Sequence, residues 1–145
     1  MRALFDVNVV LALLDFDHVF HAAAHRWWKT AKGHGWASCP ITENGVVRIM
    51  SQASYASPDQ YSVTDVVSWL KNFASGTDHE FWADDISLLD NSCFEASRIL
   101  GPKQLSDIYL LGLASSKGGR LVTFDRKITA TAVFGASEEN LVVIG

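Results

Sequence analysis

The chain has 145 residues, of which 48% are hydrophobic and 19% charged, so it is too apolar for intrinsic disorder and long enough for one core. Twelve basic and 16 acidic residues give a net charge of -4, which neither indicates nor excludes a nucleic-acid partner. No apolar run is long enough to span a membrane, and the first residues lack the apolar segment of a signal peptide. We expect a single domain over residues 1–145, located in the cytoplasm.

Hydrophobic periodicity predicts strands that alternate with helices along the chain. In chain order these are a strand at 2–6, helices at 7–14 and 17–32, a strand at 36–39, helices at 40–52 and 65–75, a strand at 80–83, helices at 91–100 and 106–117, and strands at 120–124 and 141–144. This alternation is typical of an α/β fold with a mainly parallel sheet covered by helices on both faces. The carboxyl ends of such strands share one edge of the sheet, where ligands bind.

Four acidic residues are predicted at that edge. Asp6 and Asp125 each follow an apolar strand, and Glu43 and Asp107 each lie near the start of a helix. Taken singly, such acids are also typical of helix caps and turns. Their coincidence at one edge favours a functional site.

Carboxylates that lie close together repel one another, and a cation among them keeps them ionised. Only oxygen ligands are available here, without a cysteine pair nearby, so Mg²⁺ or Mn²⁺ is favoured over structural zinc. The chemistry that this indicates is metal-assisted attack on a phosphate. Asn8 and Thr123 lie two residues from Asp6 and Asp125, and we expect them to orient these carboxylates. The alternative is that Asn8 caps the first helix and Thr123 only packs in its strand.

The four acids lie in the segments LFDVNVVL (4–11), TENGVVR (42–48), LSDIYLL (105–111) and LVTFDR (121–126). In order and spacing these segments resemble the four acidic motifs of PIN-domain ribonucleases, in particular the VapC-like toxins of VapBC toxin–antitoxin pairs. The resemblance covers essentially the whole chain. It implies a PIN-like three-layer α/β/α sandwich.

The resemblance also implies an activity, that of an Mg²⁺- or Mn²⁺-dependent endoribonuclease. It implies that Asp6, Asp107 and Asp125 hold the metal and that Glu43 completes the site or positions water. A cognate antitoxin would inhibit the enzyme, which would be a homodimer. Arg126 would support the site by contacting RNA phosphate, or is an ordinary surface arginine.

A different class of function stays open, that of an RNA- or protein-binding module with little or no cleavage. An aspartyl phosphotransferase also begins with a strand-end aspartate. It requires a second carboxylate two residues later, where this chain has Asn8. The sequence does not identify the RNA, the number of metal ions, the antitoxin or the dimer interface.

Other residues outside the acidic motifs could be mistaken for functional ones. His18, His21 and His25 follow helical spacing, and we interpret them as a polar stripe on a solvated helix face rather than a zinc site. Whether they contact RNA or a partner stays open. Among the tryptophans, Trp28 is predicted to be the most exposed. A second acid-rich stretch is interpreted as a solvated loop and contains Asp84, Asp85 and Asp90.

Overall fold

The computed structural model describes residues 1–145 and contains five strands and five α-helices, joined by loops with short 3-10 turns. The strands are β1 (Ala3–Phe5), β2 (Trp36–Ser38), β3 (His79–Phe81), β4 (Arg120–Thr123) and β5 (Leu141–Val143). The helices are α1 (Val7–Leu14), α2 (His21–Ala31), α3 (Pro40–Met50), α4 (Val63–Ser75) and α5 (Leu105–Ser116). None of them has the length and apolarity needed to cross a membrane.

All five strands are parallel, in the order β3-β2-β1-β4-β5. The middle strand β1 pairs with β2 on one side and β4 on the other, with Leu4 opposite Ala37 and Leu121. Its residues are completely buried, as expected for a strand covered on both faces. Because Phe5 pairs with Val122, the chain leaves β1 and β4 at nearly the same level of the sheet.

Helices cover both faces of the sheet, which confirms the predicted three-layer α/β/α sandwich. Successive side chains of a strand point to opposite faces. Phe5 therefore joins the core under α1 to α4, where its ring stacks on Trp36 with centroids 5.3 Å apart. Leu4 joins the core under α5, together with Leu121.

The predicted helix at 91–100 is wrong. This segment consists of turns and a 3-10 turn at Ala96–Arg98. Part of its backbone bonds to a distant segment, since the Glu95 N–H donates to the Ala132 carbonyl at 2.8 Å and the Cys93 carbonyl accepts from the Phe134 N–H at 2.9 Å. Phe94 is buried against α5 at Gly112, whose lack of a side chain leaves space for the ring. Tertiary packing therefore overrides the local helical pattern.

The histidines do not form a solvated stripe, and this interpretation is also wrong. The second helix begins at His21, so His18 precedes it and Asp17 does not cap it. His21 Nδ1 lies 2.7 Å from the Ala12 carbonyl oxygen, and His25 Nε2 lies 3.2 Å from that of Leu13. Carbonyls in the last turn of a helix lack intrahelical partners. His21 and His25 supply hydrogen-bond partners for these carbonyls at the end of α1.

The prediction for Trp28 is wrong as well. Its side chain is buried and meets Phe5 edge-on, with ring centroids 5.7 Å apart. Trp69 on α4 is the most exposed of the five tryptophans. The solvated loop was predicted correctly, since its three acids are exposed: Asp84, Asp85 and Asp90.

Candidate active site

Asp6 and Asp125 meet at the carboxyl ends of the adjacent strands β1 and β4. The hydroxyl of Thr123, the last residue of β4, connects them. Thr123 Oγ1 donates to Asp6 Oδ2 at 2.9 Å and accepts from the backbone N–H of Asp125 at 3.0 Å. Thr123 is completely buried. These are the contacts that the expected orienting role requires.

Asp6 is buried and has both carboxylate oxygens fixed. It caps α1, with Oδ1 accepting from the Val7 N–H at 2.7 Å, while Oδ2 is held by Thr123. Burial raises the pKa of Asp6 above its usual 3.8, its two hydrogen bonds act in the opposite direction, and the negative charge of Asp125 raises it further. The two hydrogen bonds therefore fix the orientation of the Asp6 carboxylate, and the neighbouring acid is Asp125.

Asp107 approaches the same place from the opposite face of the sheet, in the first turn of α5. Burial, followed by the charges of Asp6 and Asp125 and a hydrogen bond with the Asp125 carboxyl group, raises the pKa of Asp107 to about 7. Like charges at short range and partial desolvation both favour the protonated form. Asp6, Asp107 and Asp125, referred to below as the acid cluster, thus interact as one group of charges.

Glu43 lies at the same edge of the sheet but belongs to a different hydrogen-bond network. It occupies the first turn of α3, directly after β2. Ser38 Oγ, at the end of β2, donates to Glu43 Oε2 at 2.5 Å and lies 2.7 Å from His79 Nε2 on β3. A hydroxyl has one proton. Because Ser38 gives it to Glu43, the imidazole must supply the proton for the second hydrogen bond.

Sequence reasoning missed Ser38 and His79. Ser38 carried a usable signal, since it lies at the end of a predicted strand and so at the edge where Asp6 and Asp125 were expected. His79 lay outside the predicted strand at 80–83. No sequence pattern pointed to its contact with Ser38, because that contact joins two neighbouring strands.

The side chains of the other two supporting residues, Asn8 and Arg126, make no hydrogen bond or ion pair with the acid cluster. Asn8 is exposed on α1 and makes no side-chain hydrogen bond. Its alternative interpretation as the helix cap is wrong, because Asp6 occupies that position. Arg126 is exposed, and its Nη2 lies 3.5 Å from the Gly145 carbonyl oxygen.

The donor atoms of the acid cluster fit a hard divalent cation, although no three His, Cys, Asp or Glu side chains stand in a ready-made metal-binding arrangement. Asp107 lies within reach of the charges of both Asp6 and Asp125, which raise its pKa. Carboxylate oxygens are the ligands that Mg²⁺ and Mn²⁺ prefer. A bound cation would also relieve the repulsion that raises the pKa of Asp107.

Comparison with known proteins gives consistent matches. A family model of the PIN domain matches residues 3–133. Ribonuclease VapC44 of Mycobacterium tuberculosis is 48% identical over 144 residues, which are 99% of this chain and 100% of that protein. Ribonuclease VapC39 of the same organism is 41% identical over 140 residues, 95% of this chain and 99% of that protein.

A solved structure supports the fold. The crystal structure of VapBC2 from Rickettsia felis, bound to a DNA fragment from their promoter, matches with a TM-score of 0.58. The match covers 99% of this chain and 97% of that chain. At 14% identity, the likeness is one of fold alone.

Proposed function

Because this chain belongs to the PIN domain family and to its VapC-like members, we propose that it is a ribonuclease toxin that a cognate antitoxin neutralises. The observation that carries the proposal is the acid cluster at the end of β1 and β4. Burial and the charge of acidic neighbours raise the pKa of Asp6 and of Asp107, as in a site that receives positive charge. The relatives named ribonucleases match over nearly the full chain, which supports RNA as the substrate.

We further propose that Asp6, Asp107 and Asp125 hold Mg²⁺ or Mn²⁺, and that Glu43 completes the site or orients water. Such an ion, when bound, lowers the pKa of water and offsets charge on the phosphoryl oxygens. In this mechanism no side chain has to form a covalent bond with the RNA.

Residues around the carboxylates would support this mechanism. Thr123 and the Val7 N–H hold the Asp6 carboxylate in one orientation. Ser38 does the same for Glu43. Carboxylates that are fixed beforehand lose little freedom when they meet an ion or a phosphate. Asn8 and Arg126 project into solvent near the cluster, where they can approach the RNA.

Family membership also supports a proposal for the protein partners of this chain. A VapBC complex is among the solved structures with the same fold, which supports a cognate antitoxin as the binding partner. We also propose that the protein forms a homodimer, as the family resemblance implies, and that it is located in the cytoplasm.

The test is cleavage of RNA by the purified protein with Mg²⁺, with Mn²⁺ and with a chelator. Wild type is expected to cut only with metal, and Asp6→Asn is expected to fold and not to cut. Asparagine caps helices as well as aspartate does, so this variant keeps α1. The matched control is Asp59→Asn, which removes an exposed carboxylate from a loop and should leave cleavage unchanged.

Two results would count against the proposal. Cleavage that Asp6→Asn retains would remove the acid cluster from the mechanism. RNA binding without cleavage by wild type would favour the alternative of a binding module. Growth arrest on expression without antitoxin, and its loss in Asp6→Asn, gives the corresponding result in cells.

A further inference from the structure

A cavity of about 350 Å³ lies beside Glu43, between α3, α4 and the β2–β3 side of the sheet. Val47, Val67 and Leu70 give it an apolar wall. Glu43 and Ser38 contribute to the lining, so the cavity adjoins the Glu43 side of the candidate active site. None of the roles proposed above uses this space.

Three polar side chains in the lining have unused hydrogen-bonding capacity. Asn44 is exposed, and its amide makes no side-chain hydrogen bond. Lys71 is exposed and has no ion pair, since the ion pairs of the structure involve Arg2 and Lys117. His79 uses Nε2 to contact Ser38, and its Nδ1 has no hydrogen-bond partner.

We propose that this cavity binds one unstacked nucleobase of the RNA substrate, next to the phosphate that is cut. The inference rests on the proposed function and assigns a subsite to it. Apolar side chains would pack against the base, and the Asn44 amide would both donate to and accept from its edge. His79 Nδ1, which carries no proton in this network, would accept from an exocyclic amino group. Lys71 would pair with a neighbouring phosphate.

The lining favours a nucleotide over an apolar segment of a protein. The flat ring of a nucleotide would lie against the apolar wall, and its polar edge would meet Asn44 and His79. Its phosphate would pair with Lys71. An apolar side chain in the same space would leave the Asn44 amide and the Lys71 ammonium without partners, and unpaired polar groups weaken binding. The cavity is also lined by Glu43, at the same edge of the sheet as the acid cluster, which is the side where the RNA would be cut.

The experiment uses a pool of single-stranded RNA with randomised sequence, cut by the full-length protein with Mg²⁺, and sequencing of the products. Wild type should show a base preference at a position next to the cut. Val67→Phe narrows the cavity. It should raise the half-saturating RNA concentration about tenfold and abolish the base preference. The maximal cleavage rate should stay within about twofold of wild type. Asn44→Ala, at an exposed position, should also weaken the preference and does not depend on how well phenylalanine is accommodated.

Lys71→Ala tests the phosphate contact separately. The slope of log half-saturating concentration against log salt should fall by about 0.7 while the base preference remains. The control is Lys29→Ala, an exposed lysine in the last turn of α2 and outside the cavity lining, which should leave the slope unchanged.

Binding of a fluorescein-labelled sample of the same RNA pool, followed by anisotropy with chelator present, separates the subsite from the proposed function. If wild type binds RNA without cutting it, the proposed function fails, and weaker binding by Val67→Phe and Asn44→Ala still supports the subsite. Equal binding and equal base preference in wild type and both variants would overturn the subsite. Variants that cut RNA normally and escape inhibition by the antitoxin would also overturn it, because the cavity would then bind the antitoxin.

Discussion

Removal of the charge of Asp107 should stabilise the metal-free protein. The pKa of Asp107 is raised from 3.8 to about 7 by burial and by its acidic neighbours. For a fully buried group this rise would correspond to about 4 kcal/mol. Asp107 is only half-buried, and screening by solvent reduces the expected gain from Asp107→Asn to about 1–2 kcal/mol. For a chain of this length, that gain corresponds to an increase in Tm of about 3–6 °C.

The stability gained by Asp107→Asn should depend on pH. The pKa of Asp107 is higher in the folded protein than in the unfolded chain, so the folded state binds the proton more tightly. Its stabilising contribution is fully present below pH 3.8, the unfolded value, and is lost as the pH rises to about 7. Asparagine resembles the protonated acid. Asp107→Asn should therefore unfold at nearly the wild-type Tm at pH 4 and above it at pH 8.

The assay is thermal unfolding followed by circular dichroism, with chelator, at both pH values. Asp59→Asn is the control for loss of a carboxylate outside the cluster, and its Tm should match wild type at each pH. Added Mg²⁺ should raise the Tm of wild type more than that of Asp107→Asn. Equal Tm values for wild type and Asp107→Asn at pH 8 would refute the repulsion of Asp107 by Asp6 and Asp125. So would a Tm difference between the two proteins that is the same at both pH values.

Three further substitutions test single contacts. Thr123→Val removes the hydroxyl that holds Asp6 and should lower the RNA cleavage rate about 10- to 100-fold, whereas Thr123→Ser should retain most of it. Ser38→Ala releases Glu43 and should lower the maximal cleavage rate about tenfold. Gly112→Ala places a methyl group 2.5 Å from Phe94 Cζ and should lower the free energy of unfolding by about 1–3 kcal/mol in denaturant titrations.

Each of these predictions has a contrary outcome. Cleavage by Thr123→Val at the wild-type rate would show that the Asp6 carboxylate needs no support from β4. If Ser38→Ala changes only the half-saturating concentration, Ser38 contributes to RNA binding rather than to the position of Glu43. For Gly112→Ala the control is Gly33→Ala, where an added Cβ meets nothing within 4 Å, and equal stability of both variants would contradict the close packing of Phe94.

The sequence was sufficient to predict the parts of the fold that follow from local pattern. The apolar runs before Asp6 and Asp125 predicted two buried parallel strands, and parallel geometry then required their ends to share an edge. Asp107 followed from its place in the first turn of a helix. The same reasoning placed Glu43 at this edge, but could not show that it bonds to Ser38 rather than to the acid cluster.

The failures share one physical cause, which is contact between residues distant in sequence. The helical pattern at 91–100 was overridden by backbone bonds to the segment near Ala132. His21 and His25 have the spacing of a surface stripe, yet they face carbonyls of the preceding helix. Trp28 fills the space beneath β1, and nothing in its neighbouring residues indicates that burial.

The acid cluster and the cavity beside Glu43 are carried by strands that differ in their resistance to local unfolding. Asp6 and Asp125 extend from β1 and β4, each of which has a hydrogen-bonded strand on both sides, whereas His79 belongs to β3 at the border of the sheet. Border strands open at lower free energy than interior ones. On warming, fraying of β3 would remove one side of the cavity while the carboxylates remain in register. Just below its melting temperature, the protein should still cut RNA, but with a relaxed choice of base.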